Sequence, residues 1–180
     1  MISTLYKCFQ PWSDRRPIYL ISDTHFDDSD CFLMDINWPY AIEYTKRIKE
    51  QIGKNTTLIH LGDVGDPKYM DMIPGYKVLI KGNHDRGSSF YQKYFDEIFS
   101  GPLFVGDRLL LSHEPIYDLN WCFNIHGHDH NPEHTGDDTH MNITSNVIGY
   151  RAANLKDIIR SGYLSKVDGL HRTVIKKRVT

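Results

Sequence analysis

A disulfide framework, a membrane span and an excess of charge of one sign are all missing from this sequence. Its three cysteines, Cys8, Cys31 and Cys122, are widely separated, odd in number and form no CxxC pair. That usage excludes a disulfide scaffold and fits a reducing compartment, so a cytoplasmic location is expected. No stretch reaches the roughly 18 apolar residues of a membrane helix. The first residues, MISTLYKCFQPW, lack the basic start and apolar run of a secretion signal. A formal charge of −2 gives no broad footprint for nucleic acid or a membrane surface, leaving room only for a local basic patch. With 180 residues, one well-buried core and a single domain over 1–180 are expected.

Histidine is what the chain has in plenty. It occurs 10 times, and five copies fall between His126 and His140. Their meaning depends on the elements around them. Pro17–Ser22 (PIYLIS), Thr56–Leu61 (TTLIHL) and Tyr76–Ile80 (YKVLI) read as buried strands. Pro39–Ile52 reads as an amphipathic helix with Ile42, Ile48 and Ile52 on one face, proline near its start and Gly53 past its end. The apolar spacing of Ser88–Phe99 predicts another helix. After it, Leu103–Val105 and Arg108–Ser112 read as a hairpin about Gly106-Asp107. Trp121–Ile125 and Met141–Thr144 add short strands, Asn154 caps a helix to Ser161, and His171–Val179 has the alternation of a basic edge strand. Alternating β and α elements followed by a strand-rich half predict an α/β sandwich of two sheets with helices outside.

Each expected core strand ends in a group able to bind a metal. Asp23 and His25 follow the first strand, two residues apart, a spacing that in extended backbone points both side chains the same way. Asp63 follows the second behind Gly62, which lets the backbone turn sharply. Asn83 and His84 end the third, His113 the fourth, and His128 and His130 the fifth. Oxygen and nitrogen donors without a thiolate suit Mn, Fe, Zn or Ni. Asp23, His25, Asp63, Asn83, His113, His128 and His130 are too many for one tetrahedral ion. Two divalent ions sharing a bridging carboxylate, about 3.5–4 Å apart, would use them all, hold a hydroxide and clamp a phosphoryl group.

In order, the chain carries D-x-H (Asp23, His25), G-D-x-x-D (Gly62, Asp63, Asp66), G-N-H-D (Gly82–Asp85), a lone His113 and G-H-x-H (Gly127, His128, His130). This series resembles the calcineurin-like metallophosphoesterase superfamily, and SDTHF and LSHEP look most like its small bacterial and phage members. The resemblance implies a four-layer αββα sandwich of two mixed sheets, and hydrolysis of phosphoric esters. It assigns Asp23, His25 and His130 to one ion, Asn83, His113 and His128 to the other, and Asp63 as the bridge. His84 resembles the family histidine that contacts phosphate and protonates the leaving oxygen, with Asp85 orienting its imidazole. Where small relatives often read THFGH, this chain has THFDD, with Asp27 and Asp28 in place of Gly and His.

Other residues receive plainer roles. His60 and His126 are expected to pack at strand ends or behind the ligands, Asp66 to make structural hydrogen bonds, and His134, His140 and His171 to be bystanders. Arg86 follows the catalytic block and is a candidate phosphate contact beside Asn83 and His84, with a solvated surface arginine as the alternative. Phe32, Leu33, Met34 and Trp38, or Tyr117, Trp121 and Phe123, are candidate base-stacking groups, with core packing the default. The expected substrate is a small phosphodiester or nucleotide, and manganese is the first choice of ion in vitro. A silent metal-binding scaffold and a nuclease gripping a backbone through Arg172, Lys176, Lys177 and Arg178 are the competing readings. A homodimer is compatible with the sequence; a membrane partner is not.

Overall fold

The computed structural model describes residues 17–169. Cys8 and the expected edge strand His171–Val179 lie outside them. The elements run β1 (Ile18–Ile21), α1 (Cys31–Met34), α2 (Ala41–Gln51), β2 (Thr57–His60), a 3-10 helix (Pro67–Met72), β3 (Tyr76–Ile80), α3 (Ser88–Tyr91), β4 (Glu97–Phe99), β5 (Leu103–Phe104), β6 (Leu109–Leu111), β7 (Phe123–His126), β8 (His140–Asn142), β9 (Ala153–Asn154), α4 (Leu155–Arg160) and a closing 3-10 turn (Tyr163–Ser165).

One sheet has the order β4-β3-β2-β1-β9 and the other β5-β6-β7-β8. In the first, β1 to β4 are parallel and β9 antiparallel; in the second, β6 to β8 are parallel and β5 antiparallel. Both are therefore mixed, and helices flank them, as expected. Central parallel strands are covered on both faces, which is why they read as unbroken apolar runs. Side-chain alternation divides those runs between two cores. Leu20, Ile59, Val78 and Ile80 face Leu109, Leu111, Phe123 and Ile125 of the other sheet. Ile21, Leu58 and Leu79 face outward onto Tyr44 and Ile48 of α2.

The helix α2 starts after Tyr40 with Glu43 in its first turn and ends with Ile52 as its cap, one residue before Gly53. Its inward face is Ala41, Tyr44, Thr45 and Ile48. Ile42, expected on that face, is exposed because the sheet-facing stripe begins one residue earlier.

The expected helix Ser88–Phe99 is corrected: α3 ends at Tyr91, and Glu97–Phe99 is an edge strand parallel to β3. Tyr91 is committed elsewhere, its hydroxyl donating to Asp85 Oδ1 and accepting from the Arg86 N–H. The chain turns after it, and Asp96 N then bonds Lys77 O to begin the ladder. The hairpin, the strands near Phe123 and Met141, and the Asn154 cap, whose side chain accepts from Lys156 N, stand as expected.

The sheets converge at the C-terminal ends of β1 and β8, where Ser22 pairs with Thr144 in an isolated parallel bridge. Segment 114–121 closes over the outer face of the second sheet. There the Ile116 N–H donates to Asn124 Oδ1, and His140 Nε2 meets the Ile116 carbonyl at 2.9 Å. Strand ends of both sheets therefore open onto one edge, where ligands of open α/β sheets are usually received.

Candidate metal centre

Past β1 and β2 the backbone pairing continues without regular strand geometry. Asp23 N donates to Gly62 O at 2.9 Å, His25 N to Asp63 O at 3.1 Å and Phe26 N to Val64 O at 3.0 Å. The loops carrying the first three candidate ligands thus run side by side. Asp23, His25 and Asp63 adopt φ of +54°, +41° and +57°, and His128 adopts +69°. The expectation that Asp23 and His25 converge through extended-strand alternation is therefore corrected. Left-handed turns aim them, a conformation that costs a non-glycine residue about 1 kcal/mol or more and gathers at functional sites.

The motif glycines permit close approach. A Cβ on Gly82 would lie 2.2 Å from Asp63 Oδ1, and one on Gly127 2.2 Å from Asp23 Oδ2. Gly62 combines φ of +94° with the Gly82 backbone nitrogen 2.4 Å from where its Cβ would be.

Two clusters result, Asp23 with His25 and His130, and Asp63 with His113 and His128, each with its donor atoms within 4.8 Å of one another. His130 Nε2 is 3.6 Å from Asp23 Oδ1, while His25 Nε2 is 4.0 Å from both Asp23 Oδ1 and Asp63 Oδ2. Asp63 thus faces both clusters. Asn83 joins the second one, with its Oδ1 2.8 Å from His113 Nε2.

Three of the four histidines are held from behind. His25 Nδ1 meets Asp28 Oδ2 at 3.2 Å, His113 Nδ1 donates to Leu61 O at 2.8 Å, and His130 Nδ1 meets Asn146 Oδ1 at 3.3 Å. These partners accept hydrogen bonds, so Nδ1 carries the proton and Nε2 presents its lone pair to the cluster. Such support orients metal-binding imidazoles. Asp28 and Asn146 were not picked out from the sequence as ligand supports, because no spacing rule links Asn146 to His130; the THFDD departure was the one signal for Asp28.

The electrostatics call for a cation. Asp23 Oδ1 and His25 Nε2 are buried without any hydrogen-bond partner. Around His113 Nε2 converge Asn83 Oδ1 at 2.8 Å, His128 Nδ1 at 3.2 Å and Asp63 Oδ2 at 3.4 Å, nearly all of them lone-pair donors. Burial pushes the His113 imidazole down, but the Asp63 contact and the charges of Asp23 and Asp63 outweigh it and hold it up at about 9. The site thus draws a proton to the place where acceptors meet, and divalent ions would satisfy the same donors. The donor set fits them.

Remaining candidates are placed as follows. The exposed His84 has its ring 6.1 Å from that of His25, and its backbone N–H donates to Asp63 Oδ1 at 3.0 Å. The Asp85 carboxylate accepts from Gly82 N, Asp63 N, Val64 N and the Tyr91 hydroxyl. Four donors use its four acceptor positions. Asp85 therefore ties the 62–64 and 82–85 loops together, and this corrects its expected task of orienting His84. Arg86 lies over the Phe90 ring, 4.6 Å from its centroid.

His60 is buried and bridges two loops, accepting from Gly62 N at 3.2 Å and meeting Thr24 Oγ1 at 2.9 Å. Asp66 accepts from Lys68 N, a structural bond as expected. Trp38 is buried against His25, His130 and Tyr150, and Phe123 is core, stacked on Tyr163.

Two mixed sheets carry, at their converging strand ends, two aspartate and histidine clusters each able to hold a metal ion. The chain belongs to the calcineurin-like phosphoesterase family, whose model matches residues 16–157. It is 28% identical over 174 residues to the uncharacterized protein MJ1445 of Methanocaldococcus jannaschii, covering 81% of this chain and 90% of that one. Its fold is shared with the protein of unknown function AQ665 from Aquifex aeolicus, at a TM-score of 0.66 and 24% identity over 81% of this chain and 99% of that chain. A Pseudomonas putida nuclease MPE aligns at a TM-score of 0.45 and 20% identity, covering 63% of this chain and 61% of that one. No helix among the described residues is long and apolar enough to cross a membrane.

Proposed function

We propose that this protein hydrolyses small phosphoric esters, phosphodiesters or nucleotides, at a centre of two divalent ions. The supporting observation is the pair of buried, unpartnered acceptors Asp23 Oδ1 and His25 Nε2, beside the acceptors crowded about His113 Nε2. Asp23, His25 and His130 would hold one ion, Asn83, His113 and His128 the other, with Asp63 shared. Manganese is the ion proposed for reconstitution. Such ions acidify water and neutralise phosphoryl oxygens when bound.

The chain's own residues supply the rest. Asn83 and His84 stand on one loop at the rim, where the imidazole can meet a phosphoryl oxygen and give a proton to the departing alkoxide or aryloxide. Asp85 keeps that loop against Asp63. Arg86 flanks it as a cation.

The test is hydrolysis of bis(p-nitrophenyl) phosphate by protein loaded with Mn²⁺, with elemental analysis alongside. His84→Ala should lower kcat by about 10²–10⁴ while the metal content stays near two per chain. A metal-replete protein inert on mono- and diesters alike would overturn the proposal.

A further inference from the structure

Beside the ligand clusters the chain folds a second concavity. The run 24–29 with Cys31 and Phe32 forms one side and 39–41 the other, enclosing a half-open cleft of about 150 Å³. That is smaller than the roughly 300–1,000 Å³ of sites that enclose a whole drug-sized ligand, leaving space for one ring system and not for a whole nucleotide. His25 belongs to both the cleft lining and the first ligand cluster, so the cleft adjoins the centre. Phe32 and Tyr40 are large rings left 40% and 75% exposed, with centroids 5.7 Å apart in an edge-on pair. Trp38, between them in sequence, is buried.

We propose that this cleft receives the nucleobase of a nucleotide-type substrate, stacked on Phe32 and Tyr40. The placement of the phosphate rests on the function proposed above; the ring site does not. Charge decides what kind of group fits. Asp27 and Asp28 line the cleft with carboxylates that are 44% and 39% exposed, Asp27 paired with Lys68 and Asp28 with the His25 imidazole. An anionic rim repels phosphate and tolerates a neutral ring whose amino and imino groups donate hydrogen bonds. Leu33 and Ile36, at 87% and 85% the most exposed apolar side chains of this segment, do not line the cleft. A second copy docking on the segment would engage those two residues first.

Two measurements test this. Adenosine, which has no phosphate, should bind saturably in equilibrium dialysis, and Phe32→Ala and Tyr40→Ala should each weaken that binding about tenfold. Both rings are solvent-exposed, so circular dichroism should show the variants folded. In turnover, the ratio of kcat/KM for a nucleoside p-nitrophenyl phosphodiester to that for methyl p-nitrophenyl phosphate should fall about tenfold in each variant. Ester hydrolysis with no adenosine binding and an unchanged ratio would overturn the cleft proposal while leaving the phosphoesterase reading intact. Adenosine binding without hydrolysis of any ester would do the reverse. A dimer in sedimentation that is lost in Tyr40→Ala would assign the rings to a second copy and also overturn the cleft proposal.

Discussion

Asp28 Oδ2 lies 3.2 Å from Nδ1 of His25, on the opposite side of the ring from the ligand cluster. The contact presents the buried His25 Nε2 to Asp23 and Asp63. Asp28→Ala should therefore weaken metal binding by about 10–100-fold, the usual effect of removing such a support. Titration calorimetry with Mn²⁺ would measure it, and Asp28→Asn, which retains an acceptor, should recover part of the loss. Unchanged affinity in the alanine variant would show that the contact is incidental.

Gly82→Ala should disable the site by crowding. The new Cβ would lie 2.2 Å from Asp63 Oδ1 and 2.8 Å from its backbone nitrogen, so the shared carboxylate must move. Overpacking of this kind costs about 1–3 kcal/mol. Elemental analysis should show fewer than two ions per chain with the circular dichroism spectrum retained. A variant holding its full metal complement would contradict the assigned role of Asp63.

His60 predicts a pH dependence of stability. Burial lowers its pKa from the ordinary 6.5 to about 4. Between those values the unfolded chain binds more protons than the folded one, so stability rises with pH across the window. The contribution is complete above about 6.5 and lost as pH falls to about 4, an effect of about 3 kcal/mol. Thermal melts from pH 7 to 4 should show a shallower decline in His60→Gln than in the parent. Parallel profiles would mean that His60 is not held neutral.

Chelation should lower the melting temperature. Removing ions leaves Asp23 and Asp63 with the His113 proton as their counter-charge, and Asp23 Oδ1 and His25 Nε2 without partners. At a free ion concentration a hundred times Kd, each site contributes about 2.7 kcal/mol, or roughly 5–10 °C for a chain of this size. Calorimetry with EDTA and then excess Mn²⁺ would read the shift both ways. No shift would argue against ions bound at these clusters.

The residues of the two clusters were legible because side chains able to bind a metal leave their mark locally. Each core strand ended in an aspartate, asparagine or histidine, three of these ends sitting behind Gly62, Gly82 and Gly127, and the expectation of two sheets followed from the apolar runs. What sequence could not reveal was coupling across distance. Asn146 meets His130 from another loop, and Asp85 spends half of its carboxylate on backbone groups more than 20 residues away. Glu97–Phe99 was misread for a related reason. Phe90, Tyr94, Phe95, Ile98 and Phe99 imitate helical spacing, while the pairing with β3 that makes Glu97–Phe99 a strand is tertiary. Even the convergence of Asp23 and His25 came by another route, because left-handed backbone at three neighbouring ligands has no period to detect.

The left-handed backbone at Asp23, His25, Asp63 and His128 sets function against folding at single positions. Glycine at any of the four would relieve local frustration and remove a metal donor at once. With ions bound, the roughly 2.7 kcal/mol lost with a site outweighs the roughly 1–2 kcal/mol of backbone strain relieved. Only a lineage that no longer meets its ions would shed these side chains first, and its proteins would melt later for having done so.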